Sequence, residues 1–336
     1  MKQHTAPDLL YLSQQDVIDV APSVEESIAI VEAALGEHGK GAVENPPKPA
    51  VHPIPRTFIH AMPALLKNKK QVGMKWVSGY AMNNEKGLPN ISGLIVINDY
   101  DTGLPVAIMD GVFITAMRTA CASACSAKYL ARQGAETMAI VGCGVQGRYH
   151  LMTIMSTNPS IKKVKAFDII AEARDRYVAE MQQHVECELE AADSVDQAIE
   201  DCDIVVSTAA GLRGQVVFKR GCIRPGALAL PVHSLGWDPD ELLSVDKMVV
   251  DDWNQLRSSL VGPGKSYEKL VEPYAEIGEI IAGKKPGRES DDERILGFNY
   301  GLALEDVAMA SEIFARADAK GIGTQLKQLD GKLPYA

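Results

Sequence analysis

The stretch TMAIVGCGVQGRYH, residues 137–150, decides the fold of this chain. Its apolar residues 138–141 run into the pattern G-x-G-x-x-G at Gly142, Gly144 and Gly147, and helical spacing of apolar residues follows. A buried strand, a glycine turn and a helix in this order are typical of a dinucleotide-binding turn. The first glycine allows the tight turn, the second lets a pyrophosphate approach the backbone, and the third lets helix and strand pack closely. The pattern therefore predicts a nucleotide at the N-terminus of this helix.

An acidic residue further along the chain indicates which nucleotide binds. A second apolar run, residues 164–167, ends at Asp168, which lies 21 residues after Gly147. This is where the acid that binds the adenosine ribose falls in such a motif. A carboxylate accepts hydrogen bonds from both ribose hydroxyls and repels a 2′-phosphate, so NAD(H) is favoured over NADP(H). Arg174 lies close enough in sequence to weaken that preference.

The composition excludes several classes of protein. The chain has 336 residues, of which 46% are hydrophobic and 23% charged, so it has the make-up of a soluble globular protein with room for two domains. Its net charge of −10 argues against nucleic acid or an anionic membrane as partner. We expect a cytoplasmic protein, because no apolar run is long enough to span a membrane and the first residues lack a signal-peptide pattern. The spacing of its cysteines and histidines predicts neither a disulfide framework nor a metal site.

The residues after the glycine turn continue the alternation of strands and helices. Further buried strands are predicted over 203–208, 226–232 and 247–251. This alternation predicts an α/β fold with a doubly wound parallel sheet, whose ligands bind at the carboxyl ends of the strands. The strand ends at 207–208 and 233–238 are therefore candidate functional segments.

The residues before the glycine turn predict a different architecture. Between residues 72 and 109, three apolar runs separated by turns indicate an antiparallel sheet with one apolar face. Lys75 interrupts that face, so it either points outward or faces inward to bind an anion. Arg118, on a helix of small residues predicted over 115–132, is either exposed or bound to an anion. A last helix over 301–320 has apolar spacing that could return it to this first domain.

Over nearly its full length the chain resembles the ornithine cyclodeaminase/mu-crystallin family. The most specific part is the motif TG-x-P-x-A-x-MDG at residues 102–111, followed by T-A-x-RTA at 115–120. The resemblance implies a Rossmann domain over 126–309 and a discontinuous α+β domain that binds substrate and forms a homodimer. That second domain would combine residues 1–125 and 310–336. The segments that carry the resemblance are 75–111, 114–131, 140–150, 203–211, 276–288 and 301–324.

The resemblance also assigns the ambiguous charges. Lys75 and Arg118 match residues that bind the substrate carboxylate, and Lys48 falls where a third basic residue lies. Cations that converge on one carboxylate would hold the α-carbon at a fixed distance from the nicotinamide, as hydride transfer needs. Arg56, with His60, could extend the site toward a dicarboxylic imine. The positions that match nucleotide contacts are Asn90, Arg118, Thr119, Gly142, Gly144, Val145, Gln146, Gly147, Asp168 and Thr208.

The chain departs from the family at one catalytic position. The family often has an acid shortly after the fifth Rossmann strand, and an ungapped match places Leu235 there. Asp238 recovers the pattern only if the loop is shifted by three residues, and His233 is the other candidate for a catalytic proton shuttle. Lys75 is counted as catalytic too, as the residue that binds the substrate carboxylate. Asp238 precedes Pro239, so it could instead cap the following helix.

Together these features predict an NAD-dependent enzyme that transfers a hydride at the α-carbon of a small amino or imino acid. It would act as an imine reductase or as an amino-acid dehydrogenase. The alternative is an ornithine cyclodeaminase, which converts ornithine to proline plus ammonia and which depends on the displaced acid. A third possibility is a crystallin-like protein that binds nucleotide or ligand without turnover, against which the presence of Lys75 and Arg118 argues.

Overall fold

The computed structural model describes residues 8–209, 215–232, 236–261 and 271–329. The strands are β1 Leu9–Leu12, β2 Val43–Glu44, β3 Ala50–Val51, β4 Thr57–Leu66, β5 Gln71–Tyr80, β6 Ile91–Asn98, β7 Pro105–Asp110, β8 Thr137–Val141, β9 Lys163–Phe167, β10 Glu188–Ala191, β11 Ile204–Ser207, β12 Leu228–Pro231, β13 Lys247–Val250, β14 Ala275–Glu276, β15 Ile295–Phe298 and β16 Thr324–Leu326. The α-helices are α1 Gln14–Asp19, α2 Val24–Gly39, α3 Val112–Leu130, α4 Val145–Thr157, α5 Ala171–Met181, α6 Val195–Ile199, α7 Pro239–Leu243, α8 Trp253–Leu260, α9 Ile277–Ile281 and α10 Ala303–Lys320. Within these ranges, no helix is both long and apolar enough to cross a membrane.

Contacts within the chain divide it into two compact units. The first unit comprises Met1–Ser23, Ala42–Thr115 and Ala303–Ala336, and the second comprises Val24–Gly41 and Ala116–Leu302. The domain limits predicted from the sequence, at 125/126 and 309/310, remain a prediction. They fall inside α3 and α10, whereas the compact units divide at 115/116 and 302/303.

The first unit is built on a largely antiparallel sheet of eight strands. Its strand order is β16-β1-β7-β6-β5-β4-β2, with β3 also paired to β4. Strands β4 to β7 are antiparallel neighbours, and for β5, β6 and β7 the apolar runs between residues 72 and 109 predicted this arrangement. One face is buried, with Met62, Val77 and Ile95 each less than 9% exposed, while Trp76 and Leu94 on the opposite face are 47% and 41% exposed. Helix α10 packs on β4, β5 and β6, so the last helix belongs to this unit.

The second unit is built on an entirely parallel sheet. Its order is β10-β9-β8-β11-β12-β15-β13-β14, so successive strands β8, β9 and β10 run to one side and β11 and β12 to the other. The direction of winding reverses between β8 and β11, which is where open α/β sheets bind their ligands. The predicted Rossmann architecture, beside a second α+β unit, is confirmed.

Helix α2 joins this second unit although residues on both sides of it in sequence belong to the first. It packs against α9, and the two helices approach so closely that a Cβ on Gly39 would overlap the carbonyl oxygen of Gly278. Lys128 and Tyr129 of α3 both bind Glu32 of α2, at 2.8 and 2.6 Å. Close helix packing therefore fixes α2, and glycine is required where the backbones meet.

Candidate functional site

The glycine turn follows β8 and uses its three glycines differently. Gly142 has φ of 108°, and a Cβ there would meet Thr208 Oγ1 at 2.7 Å. A Cβ at Gly147 would overlap the carbonyl oxygen of Gly142, so these two glycines are required by the packing of the turn itself. Gly144 is the N-cap of α4, and among the described residues no heavy atom lies within 4 Å of the place its Cβ would take. The turn therefore leaves open space in front of a helix N-terminus, as a pyrophosphate needs.

Asp168 lies beside this turn, at the end of β9. Its Oδ2 accepts a hydrogen bond of 2.8 Å from the backbone N–H of Cys143, and its Oδ1 accepts one of 3.0 Å from Ile170. The half-buried carboxylate is thus held in place by the turn and retains acceptor capacity for ribose hydroxyls. The spacing of 21 residues predicted this placement.

Arg174 does not offset the charge of Asp168. Its Nε donates to Asp175 at 2.8 Å, and its Nη1 donates to Asp193 at 2.9 Å and to the carbonyl of Ala192 at 3.0 Å. These two acids and the carbonyl bind the guanidinium within α5 and the segment after β10. The structure thereby removes the feature that weakened the preference for NAD(H).

Two amides of the predicted nucleotide set have unsatisfied oxygens. The Oε1 of Gln146 in the second unit and the Oδ1 of Asn90 in the first are buried, and neither finds a hydrogen-bond donor within the described part of the chain. Such atoms call for a ligand or a water. Val145 is 60% exposed at the start of α4, and Thr208 closes the turn from β11 by donating to the carbonyl of Gly142 at 2.8 Å.

Arg118 is buried in α3, so the exposed alternative is wrong. The side chain is 7% exposed, and its guanidinium lies against Gly301, where a Cβ would overlap Nη1. The backbone N–H of Gly301 donates to the buried carboxylate of Asp251 at the end of β13. Glycine at this position, with φ of 86°, therefore makes room for the guanidinium. Thr119, the next residue, is half-buried.

A row of polar contacts joins α3 to α4. Thr153 Oγ1 donates to the carbonyl of Ala120 at 3.1 Å, and His150 Nε2 lies 3.0 Å from Ser123 Oγ. Small residues on α3 let α4 approach closely enough for these contacts. His150 is fully buried, and burial lowers its pKa to about 4, so the ring is neutral. These contacts fix the helix that carries Arg118 against the helix that begins at the glycine turn.

Lys75 faces inward from the middle of β5. It lies opposite Met62 of β4 and Ile95 of β6 and is 1% exposed. Its Nζ is 2.7 Å from Oδ2 of Asp306, which lies in the first turn of α10 and is fully buried. The inward alternative for Lys75 is therefore correct, and the anion it meets inside the protein is a carboxylate that the sequence analysis missed. The available signal was the acidic pair Glu305 and Asp306 within the otherwise apolar first half of the helix.

Lys48 and His60 lie near Lys75 in the first unit. His60 shares the inner face of the sheet with Lys75, since their partners in the pair β4 and β5 are Val77 and Met62. Burial lowers the pKa of His60 to about 4, and the positive charges of Lys48, of His52 and of Lys75 contribute to this shift. The imidazole also bonds to the backbone of Lys48. We call Lys48, His60 and Lys75 the basic cluster.

The remaining candidate residues are Arg56, Asp238 and His233. Arg56 is exposed in the turn before β4, with φ of 65°, and within the described residues no hydrogen bond or ion pair joins it to the basic cluster. Asp238 is the N-cap of α7 and accepts a hydrogen bond of 2.9 Å from Asp240, so the capping alternative describes its contacts. His233 and Leu235 lie outside the described residues.

Comparison with known proteins places the chain among relatives along nearly its whole length. The model of the ornithine cyclodeaminase/mu-crystallin family matches residues 10–321. The nodulation efficiency protein NfeD of Rhizobium meliloti is 37% identical over 316 residues, which cover 94% of this chain and 97% of that protein.

Two solved structures share both sequence and fold with it. The Δ1-pyrroline-2-carboxylate reductase of Thermococcus litoralis, in complex with NADH and L-proline, has a TM-score of 0.87 and 31% identity, covering 94% of this chain and all of that one. An archaeal alanine dehydrogenase dimer with bound NAD has a TM-score of 0.83 and 31% identity, covering 95% and 99%. The chain therefore belongs to the ornithine cyclodeaminase/mu-crystallin family, as its motifs predicted.

Proposed function

We propose that this protein is an NAD(H)-dependent oxidoreductase that transfers a hydride at the α-carbon of a small amino or imino acid. The observation that carries the proposal is the buried ammonium of Lys75 within the basic cluster, in a chain that keeps the glycine turn and Asp168. The relatives that were solved with NADH and L-proline, or with NAD, support the same chemistry.

The second unit would hold the nucleotide. The open space at Gly144 and the free N–H groups of α4 suit a pyrophosphate, and Asp168 suits the adenosine ribose. The orphan amide oxygen of Gln146 supplies an acceptor beside the turn. When bound, the nicotinamide ring supplies or accepts the hydride.

The first unit would orient the substrate. An ammonium offers three hydrogen-bond donors, so Lys75 can bind Asp306 and a substrate carboxylate together. Lys48 adds positive charge, whereas His60 is neutral and adds none at physiological pH. A carboxylate fixed in this way sets the position of the adjacent α-carbon. The family resemblance assigns the same carboxylate to Arg118 as well, and that assignment remains a prediction.

A substrate screen tests the proposal. We expect NADH to be consumed stoichiometrically with a cyclic imino acid such as Δ1-pyrroline-2-carboxylate, or with a 2-oxo acid plus ammonia. Lys75→Met should lower kcat/KM by roughly 1000-fold, because a charged carboxylate contact is lost, while the Kd for NADH stays unchanged. Lys67→Met, at an exposed lysine that pairs with Glu44 at 3.1 Å, is the matched control.

Two other results would point to the alternatives. Release of ammonia from ornithine with no net change in NADH absorbance would identify an ornithine cyclodeaminase. Nucleotide binding without turnover across the whole panel would identify a binding protein and would contradict the proposed function.

We further propose that the protein forms a homodimer through the outer face of the first sheet. Trp76 and Leu94 are exposed there, and large exposed apolar side chains on neighbouring strands are typical of interfaces. Trp76→Glu should give monomers in analytical ultracentrifugation. Tyr100→Glu, at the tip of the turn between β6 and β7, should leave the dimer intact, and equal effects of both variants would contradict this assignment.

A further inference from the structure

The carboxylate beside Lys75 is distant from it in sequence. Asp306 is separated from it by more than two hundred residues of sequence, yet the two charged atoms lie 2.7 Å apart and both side chains are at most 1% exposed. Burial of two charges is costly unless each is well compensated, so a pair of this kind is weak evidence for stability alone. A functional reason for keeping it is therefore worth testing.

The surroundings show what Lys75 would lack without Asp306. Its strand neighbours are Met62 and Ile95, both apolar and buried. The titratable group that faces it from β4 is His60, which is neutral near pH 7 because burial and the nearby lysines lower its pKa to about 4. A buried ammonium in apolar surroundings loses its proton readily unless an anion lies beside it. Asp306 supplies that anion.

Asp306 lies at the N-terminal end of α10. It lies in the first turn of a helix of 18 residues, beside the equally buried Glu305. Peptide dipoles make the N-terminus of such a helix electropositive. Strand β5 provides the cation and α10 the anion, and the contacts of α10 with β4, β5 and β6 hold the two elements together.

We propose that Asp306 is a positioning residue, whose carboxylate keeps Lys75 protonated and fixes the direction of its Nζ toward the substrate carboxylate. This inference rests on the function proposed above. It assigns to the last helix a role in substrate binding that operates through Lys75 and without direct contact with the reacting atoms. The ion pair of Lys75 and Asp306 carries no net charge, so Lys75 contributes hydrogen-bond donors to the substrate carboxylate. Net positive charge beside the substrate comes from other groups, such as Lys48.

The kinetic test compares wild type with Asp306→Asn as a function of pH. The amide keeps the size of the carboxylate but not its charge, so Lys75 loses its proton at lower pH in the variant. We expect kcat/KM to fall by roughly 100-fold at pH 8.5 but to lie within roughly fivefold of wild type at pH 6, with an unchanged Kd for NADH. The control is Glu312→Gln, which replaces the partly exposed partner of Arg316 on the same helix. Its kcat/KM should equal that of wild type at both pH values. A loss for Asp306→Asn that is equal at both pH values would overturn the proposal.

A second measurement does not depend on turnover. Thermal unfolding midpoints are compared for wild type, Asp306→Asn, Lys75→Met and the double variant. In Asp306→Asn the buried ammonium of Lys75 loses the carboxylate that lies 2.7 Å from its Nζ, so the midpoint of this variant should rise with pH between 7 and 9 relative to wild type. The double variant removes that cation and should lose this slope and regain stability.

The two measurements separate the possible failures. If no substrate is turned over but the pH slope is present in Asp306→Asn alone, the proposed function fails and the charge-holding role of Asp306 stands. If Asp306→Asn does not fold while the double variant does, the lysine that has lost its carboxylate is the cause, which supports the proposal. Equal instability of the two, or no pH slope in Asp306→Asn, would overturn it.

Discussion

The two sheets of this protein present polar groups in different ways. In the parallel sheet the candidate ligand-binding groups lie at strand ends: the glycine turn follows β8, Asp168 follows β9 and Thr208 follows β11. In the antiparallel sheet the central charged residue, Lys75, comes from the middle of β5 and reaches the inner face through the alternation of side chains. The parallel sheet therefore presents its functional groups at one edge, where backbone groups are free. The antiparallel sheet buries its charged residue, Lys75, and a carboxylate from another element supplies the counter-charge.

This difference predicts different responses to substitution. Groups at a strand end should be replaceable with loss of ligand binding alone. Substitution of a group that is packed inside either unit should lower the stability of the protein as well as its function. Four experiments, in order of decreasing expected effect, test the distinction.

The largest effect is expected at the glycine turn. Gly144 has φ of −80°, which any residue adopts, and its Cβ would meet open space, so Gly144→Val should fold normally. The added methyl groups occupy the space of the pyrophosphate, so the Kd for NADH should rise by roughly 1000-fold. Titration by NADH fluorescence and a thermal melt measure the two properties. Gly147→Val is the control, and its overlap with Gly142 should lower the melting temperature too. Loss of stability in both variants would remove the distinction.

The next effect concerns the buried His150. Its pKa in the folded state is about 4, below the ordinary value of 6.5, so the unfolded chain takes up a proton first as pH falls. The stability contributed by the neutral ring is complete above pH 6.5 and is lost as pH falls toward 4, by about 3 kcal/mol. His150→Leu should be less stable at pH 7 but should show a correspondingly weaker pH dependence in urea unfolding. Replacement of the exposed His184 by Leu should leave the pH dependence of stability as in wild type. If His150→Leu also kept the wild-type pH dependence, the buried ring of His150 would not be its cause.

A smaller effect is expected for the choice of cofactor. Asp168→Asn keeps an oxygen that can accept from Cys143 but removes the charge that repels a 2′-phosphate. The ratio of kcat/KM for NADPH to that for NADH should rise by about 30-fold, or about 2 kcal/mol. Arg174→Ala should leave this ratio unchanged, because Asp175 and Asp193 bind the guanidinium. A shift in Arg174→Ala as large as in Asp168→Asn would show that the arginine does act on the nucleotide.

The smallest effect concerns Asp238. Asp238 is the N-cap of α7, so Asp238→Ala should lower the free energy of unfolding by about 1 kcal/mol. Asp238→Ser keeps a capping oxygen and should retain wild-type stability in chemical unfolding. The kcat of Asp238→Ser then reports chemistry alone. A kcat within about threefold of wild type would place proton donation elsewhere, and a loss of roughly 100-fold would identify the carboxylate as the donor.

The sequence was most informative where the structure is local. The glycine turn and Asp168 fall within one strand-helix-strand unit, so their spacing alone predicted that they would meet. The alternation along β5 to β7 was an equally local signal, and it matched three strands.

What the sequence did not reveal depends on distant contacts. Nothing near Lys75 in sequence indicates Asp306, because helix α10 brings it there by packing on the sheet. His60 is neutral because of its burial and because of cations on other segments. The ion pair between Arg174 and Asp193 forms because the segment after β10 brings the carboxylate to the guanidinium. Asp238 was ambiguous because the same residue type serves as cap and as acid.

The pairing of β1 with β16 has a consequence for the order of folding during synthesis. Leu9 lies opposite Leu326 in that pair, whereas every strand of the parallel sheet has been made once Phe298 leaves the ribosome. The second unit can therefore form while the nascent chain still lacks α10 and β16. Until these two elements are made, the earlier strands of the first unit have an unpaired sheet edge and an uncovered apolar face. Chaperone binding during translation should accordingly concentrate on the first unit.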